Sequence, residues 1–81
     1  MGTQELDDKF FSLLSLMLNV PREGLDRYSS RETVEQWDSL KHMHLMLALE
    51  EEFGIEFDDE ELSKLTRAAA LLDAIAHKVA S

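Results

Sequence analysis

Apolar residues recur at helical spacing in three separate stretches of this chain, and its only proline, Pro21, breaks the sequence between the first two. Leu6, Phe10, Leu13, Leu14 and Met17 fall at i, i+4, i+7, i+8 and i+11, which is one face of an α-helix. The spacing predicts a first helix over 4–19, capped by Thr3 and stopped ahead of Pro21. Phe11, Leu16 and Leu18 lie partly off that stripe, so the helix is expected to be covered on more than one side. A second helix is predicted from Asp38 or Ser39 to about Phe53, where Gly54 supplies a C-terminal stop. A last helix carries Ala68, Leu71, Leu72, Ile75, Ala76 and Val79 on one face, with Thr66 as its expected cap. Asp58 followed by Glu61 has the form of a capping box with Asp in the Ser/Thr position, and opens a short helix between these two. Ile55-Glu56-Phe57 is too short and too closely flanked by helix signals for a strand. With three glycines and one proline there is little turn chemistry for a sheet. The expectation is an all-α chain of three long helices and one short one.

Residues 20–37 show no sustained period. Val20, Leu25, Tyr28, Val34 and Trp37 are spaced as anchors for a long loop laid over a core. A connection of that length exceeds the common range and is usually functional or contains a helical turn.

The size and charge of the chain restrict what it does. Its 81 residues leave room for one domain, expected to span 1–81. Seventeen acids against eight bases give a net charge of −9, which repels phosphate backbones and argues against nucleic-acid partners. A hydrophobic content of 44% is too high for a disordered acidic tail. There is no cysteine, so disulfides, thiolate–metal sites and a thioester on the chain's own side chains are excluded. No apolar run approaches the ~20 residues of a membrane span, and the first residues do not read as a secretory signal. The chain is expected to be cytoplasmic, without membrane insertion.

Catalytic motifs are missing. There is no Gly-rich phosphate loop, no His-Glu-x-x-His and no alternating Asp/Asn calcium loop. His42 and His44 sit two residues apart on a predicted helix, about 200° around its axis, and cannot share a metal. The reading is that of a protein without a metal and without enzymatic activity of its own.

The second helix carries the most information. Leu45, Met46, Leu49 and Phe53 form one stripe, joined by His42. Leu40, Met43 and Leu47 form a second stripe on the other side, with Ser39 beside it and Glu50 and Glu51 bordering it further along. A helix apolar on two sides is either sandwiched in a core or used as a docking surface. Periodicity alone leaves both open. Eight of the twelve residues from Glu50 to Glu61 are acidic. Glu50, Glu51 and Glu52 stand at the negative end of the helix dipole, where acids are unfavourable by ~0.3–1 kcal/mol each. Such a run is either simply solvated or meets a partner bearing Lys or Arg. Ser39 at the helix start reads first as an N-cap; the alternative is a hydroxyl that carries a phosphoryl-linked group close to free backbone N–H groups.

Asp38-Ser39-Leu40, opening a helix that ends Ala48-Leu49-Glu50-Glu51-Glu52-Phe53, resembles the signature of the acyl carrier protein family. The resemblance takes in the leading helix, the long loop, the Phe57-Asp58-Asp59-Glu60-Glu61 short helix and the final helix. It implies a small four-helix bundle, with the long loop between the first and second helices. It also implies 4′-phosphopantetheine, derived from coenzyme A, attached to Ser39 by a phosphopantetheinyl transferase. Acyl groups would then ride as thioesters on the arm's thiol and be presented to acyl-loading, acyl-transferring or condensing enzymes. In this reading Asp38 caps the helix and, by the resemblance, helps present Ser39, while the second stripe, Leu40, Met43 and Leu47 with Glu50 and Glu51, forms the docking face of a monomer. Trp37 before Asp38-Ser39-Leu40, His42 three residues after Ser39, and Lys41 and His44 at outward positions look more like carriers of specialised lipid, polyketide or peptide pathways. The rival reading is a small acidic helical interaction module in which Ser39 is only a helix N-cap; a divalent-ion buffer built on residues 50–61 is a third.

Overall fold

The structure, a computed structural model, describes residues 3–80 and the side chains from Gln4 onward. Helix α1 spans Thr3–Leu18, α2 Ser39–Phe53, α3 Asp59–Lys64 and α4 Ala68–Ala80. A single 3-10 turn, Arg22–Gly24, lies in the loop between α1 and α2. No strand occurs among the described residues, so the expected all-α bundle of three long helices and one short one is what forms. The expected Thr3 cap falls outside the described side chains.

α1 packs against both α2 and α4, which explains why its buried face is wider than the predicted stripe. Leu6, Phe10, Phe11, Leu14 and Leu18 are buried, whereas Leu13 and Met17 are only half-buried and Leu16 is exposed. The helix ends where Asn19 takes a left-handed φ of 57° and Val20 N–H donates back to the Ser15 carbonyl at 3.2 Å. Pro21 follows and cannot continue the ladder.

The core is completed by Leu45, Met46 and Leu49 of α2, Phe57, and Ala68, Leu71, Leu72 and Ile75 of α4. α2 stops at Gly54, whose φ of 64° and ψ of 40° place it in the region where a Cβ is penalised. The Gly54 N–H and the Ile55 N–H both turn back to the Glu50 carbonyl. At α3 the expected capping box is present: Asp58 Oδ1 accepts from Glu61 N–H at 2.8 Å, and Glu61 Oε1 accepts from Asp58 N–H at 3.0 Å. Lys78 Nζ of α4 reaches Glu61 Oε1 at 2.9 Å and ties this short helix to the bundle.

Two expectations for the loops need correction. Tyr28 is not an anchor; it is 80% exposed, and the neighbouring Ser29 is buried instead. Thr66 does not cap α4, which begins two residues later. The first α4 donors are satisfied by the long loop: Ala68 N–H donates to the Ser29 carbonyl at 2.8 Å and Ala69 N–H to the Arg27 carbonyl at 3.0 Å. A loop backbone doing the work of a cap needs no capping side chain at Thr66. On the α4 face, Ala76 and Val79 are also more exposed than the period suggests.

Candidate functional site

The start of α2 assigns distinct tasks to three consecutive residues. Trp37 is buried, Asp38 is the N-cap, and Ser39 is the first helical residue. Asp38 Oδ1 accepts from Lys41 N–H at 2.9 Å, which satisfies a donor that the helix itself leaves free. Of the two capping expectations, the one for Asp38 is what forms, and the reading of Ser39 as the cap is overturned because Asp38 holds that position. What remains is an exposed hydroxyl at the mouth of an open depression lined by Arg31, Glu32, Glu35, Trp37, Asp38 and Thr66. Arg31 Nη2 donates to Ser39 Oγ at 2.6 Å.

Behind this surface lies a buried polar pair. Trp37 Nε1–H donates to His42 Nδ1 at 3.0 Å. An indole is a donor only, so Nδ1 must be the acceptor and the imidazole is neutral, with its proton on Nε2. That Nε2–H then donates to the Leu62 carbonyl at 2.9 Å. His42 is pulled below its usual pKa, first by burial, then by the positive charge of Arg31; the Leu62 hydrogen bond works in the opposite direction. His42 thus belongs to the buried stripe, as its position implies. It links the residue before Asp38 to Leu62 of α3. His44 points to the exposed side, and the two histidines do not converge. Among the described residues no group of three or more His, Asp or Glu could hold a metal.

The two α2 stripes separate clearly. His42, Leu45, Met46 and Leu49 are buried, with Phe53 half-buried at the end. Leu40, Met43 and Leu47 are 66%, 45% and 58% exposed, so this second stripe is not core. Glu51 beyond it is exposed. Glu50 is half-buried and committed locally, its Oε2 accepting from Phe57 N–H at 2.7 Å. Sequence reasoning missed Arg31. Arg22, Arg27 and Arg31 are all scattered along the unpatterned loop, and nothing in their spacing distinguishes the one that folds back eight residues to Ser39.

A helical bundle that presents an exposed serine at a helix start, beside an exposed apolar stripe, has the form of a small carrier or docking domain. A family model described as the phosphopantetheine attachment site matches residues 37–75. The chain is 37% identical over 81 residues to an acyl carrier protein of Thermosynechococcus vestitus, with the whole of both chains covered. It is 28% identical, again over the whole of both chains, to an acyl carrier protein of Guillardia theta. The chain belongs to the acyl carrier protein family: it is a carrier of covalent phosphopantetheine, not an enzyme. Members of this family are modified by a phosphopantetheinyl transferase and interact with acyl-handling enzymes. Among the described residues no helix is long and apolar enough to cross a membrane.

Proposed function

We propose that Ser39 is the attachment point, and that residues 1–81 work as a single monomeric carrier domain in the cytoplasm. The observation that carries this reading is the division of labour between Asp38 and Ser39. With Asp38 capping α2, the exposed Ser39 hydroxyl has no structural task in the helix and is available to a transferase. In loading, Ser39 Oγ forms a bond to the pantetheine phosphorus of coenzyme A. The phosphoanhydride bond to the adenosine bisphosphate breaks, that nucleotide leaves, and the hydroxyl proton passes to a base on the transferase or to water. Loaded in this way, the thiol of the arm carries the acyl group as a thioester.

The docking face in this reading is Leu40, Met43 and Leu47, with Glu50 and Glu51 at its far edge. Its apolar part is exposed and ends next to Ser39, which suits a partner that must hold the carrier while working on its arm. Lys41 and His44 flank the same face. They support a carrier dedicated to a specialised pathway, whose partners meet bases where carriers of primary fatty-acid synthesis would present acids.

The experiment is intact mass after incubation with a transferase and coenzyme A. Wild type should gain one phosphopantetheinyl group. Ser39→Ala should gain none while keeping its helical circular dichroism. A modified Ser39→Ala protein, or a wild type that is never modified, refutes the assignment.

A further inference from the structure

The loop residue Arg31 is placed more firmly than a surface arginine usually is. Its backbone N–H donates to the Thr66 carbonyl at 3.1 Å, within an antiparallel bridge between Ser30 and Arg67. The residues after it are turned by Val34 N–H donating to the Ser30 carbonyl at 2.9 Å. From this fixed base its guanidinium reaches Ser39 Oγ at 2.6 Å. Of the residues lining the depression around Ser39, Arg31 is the only cation, while Glu32, Glu35 and Asp38 are acids. A phosphodiester formed on Ser39 carries one negative charge into surroundings that otherwise repel it. Esterification makes Oγ a poorer acceptor, and puts two non-bridging oxygens that share this charge two bonds further out. A guanidinium has five N–H donors in a planar fork suited to such oxygens, and only one of them is used on Ser39 in the unloaded protein.

From this geometry we propose that Arg31 binds the phosphodiester of the loaded protein and holds the root of the arm on the loop side of Ser39, towards Thr66, rather than along the outer face of α2. The inference rests on attachment at Ser39. It adds a residue from outside α2 to the site, and gives the arm a preferred direction of departure. Lys41, in the first turn of α2, is the competing cation.

The test is phosphorus NMR of the loaded wild type and the loaded variants Arg31→Gln, Arg31→Lys and Lys41→Gln, with intact mass confirming loading in each. Arg31→Gln should shift the phosphodiester resonance and bring its relaxation close to that of a freely rotating group. Arg31→Lys, which keeps the charge but loses the fork, should fall between. Lys41→Gln should match wild type. A second readout uses wild type alone: the Arg31 Nε–H signal should shift on loading. Normal loading with the same phosphorus signal in Arg31→Gln as in wild type, or a shift produced by Lys41→Gln instead, overturns the inference and leaves attachment at Ser39 standing. An Arg31 Nε–H signal indifferent to loading overturns it as well. A wild type that takes up no arm at Ser39 overturns both.

Discussion

The two faces of α2 have similar composition and opposite fates. On one side Leu45, Met46 and Leu49 are completely buried and His42 nearly so; on the other Leu40, Met43 and Leu47 stand open to solvent. Hydrophobicity alone does not distinguish them, since each face offers leucine and methionine. What separates them is the supply of neighbours. α1 packs against α2 and α4, and these contacts enclose one side of α2 only. Among the described residues no further layer covers the other. The outer stripe is therefore exposed by geometry, and its apolar character needs an explanation outside the fold.

The strongest way to break this comparison is to truncate one leucine on each face. Leu49→Ala should cost ~2–5 kcal/mol of unfolding free energy, because it leaves a cavity in a fully buried site. Leu47→Ala should stay within about 0.5 kcal/mol, the usual range for a surface position, while reducing turnover by a partner enzyme. Urea denaturation of both variants, with m-values checked for constancy, measures the difference. Two equally large losses would mean that both faces are core.

His42 sharpens the comparison from the buried side. Its folded pKa is lowered, so the unfolded chain takes up a proton at a higher pH than the folded one does. The contribution is fully present above the unfolded value of ~6.5 and is lost as pH falls through the folded value. Unfolding free energy should fall below pH ~6.5 with a slope of at most ~1.4 kcal/mol per pH unit from this group. Protonation also places a donor on Nδ1 opposite the Trp37 Nε1–H, so the two groups can no longer pair. The only tryptophan in the sequence thus reports on the event. His42→Gln should flatten the stability profile between pH 5.5 and 6.5, a window set by the ~6.5 reference value above and the ~4.3 of ordinary carboxylates below. An unchanged slope in that variant would place the effect elsewhere.

The inner face was legible because a helix with one buried side writes that side into its spacing. Leu45, Met46 and Leu49, with His42 among them, follow directly from the 3.6-residue period. Asp58 and Glu61 were legible for a similar reason, since a capping box is a local motif with fixed spacing. The long loop was not. Its contacts are between backbone groups far apart in sequence, as when the Ser29 and Arg27 carbonyls receive the first N–H groups of α4. No side-chain pattern records them, so spacing alone suggests a cap at Thr66 and an anchor at Tyr28, and neither forms. Arg31 escaped for the same reason. The acidic run reads in the sequence as either solvated or facing a partner, and half of its acids have a further, local use. Glu50, Asp58, Glu60 and Glu61 each hold a hydrogen bond or ion pair within the chain. Of the run's remaining acids, Glu51 is the exposed one beside the outer stripe.

The smallest effect concerns charge on the outer face. Lys41 and His44 lie beside Leu40, Met43 and Leu47, at the end nearest Ser39, while the acids of α2 are gathered at its other end. An elongation enzyme of primary fatty-acid synthesis is expected to bring bases towards the attachment serine. Lys41 opposes such bases, and His44 offers them no carboxylate, whereas Glu51 still attracts. Binding is thus weakened at one end of the face and retained at the other. Lys41→Asp combined with His44→Glu should raise kcat/KM of such an enzyme on the loaded protein by roughly 2- to 30-fold, since two exposed charge pairs contribute ~0.2–1 kcal/mol each. The gain should be largest at low salt and shrink as ionic strength rises, because exposed charges more than a Debye length apart are screened. It should appear mainly in KM, as an encounter effect, with stability unchanged because neither side chain belongs to the core. Leu47→Ala in the same assay should lower turnover at every salt concentration, which separates the apolar part of the face from its charge. Efficient turnover of wild type, indifferent to the double substitution and to salt, would show that partners read the apolar stripe alone, and would leave Lys41 and His44 no part in selecting a specialised pathway.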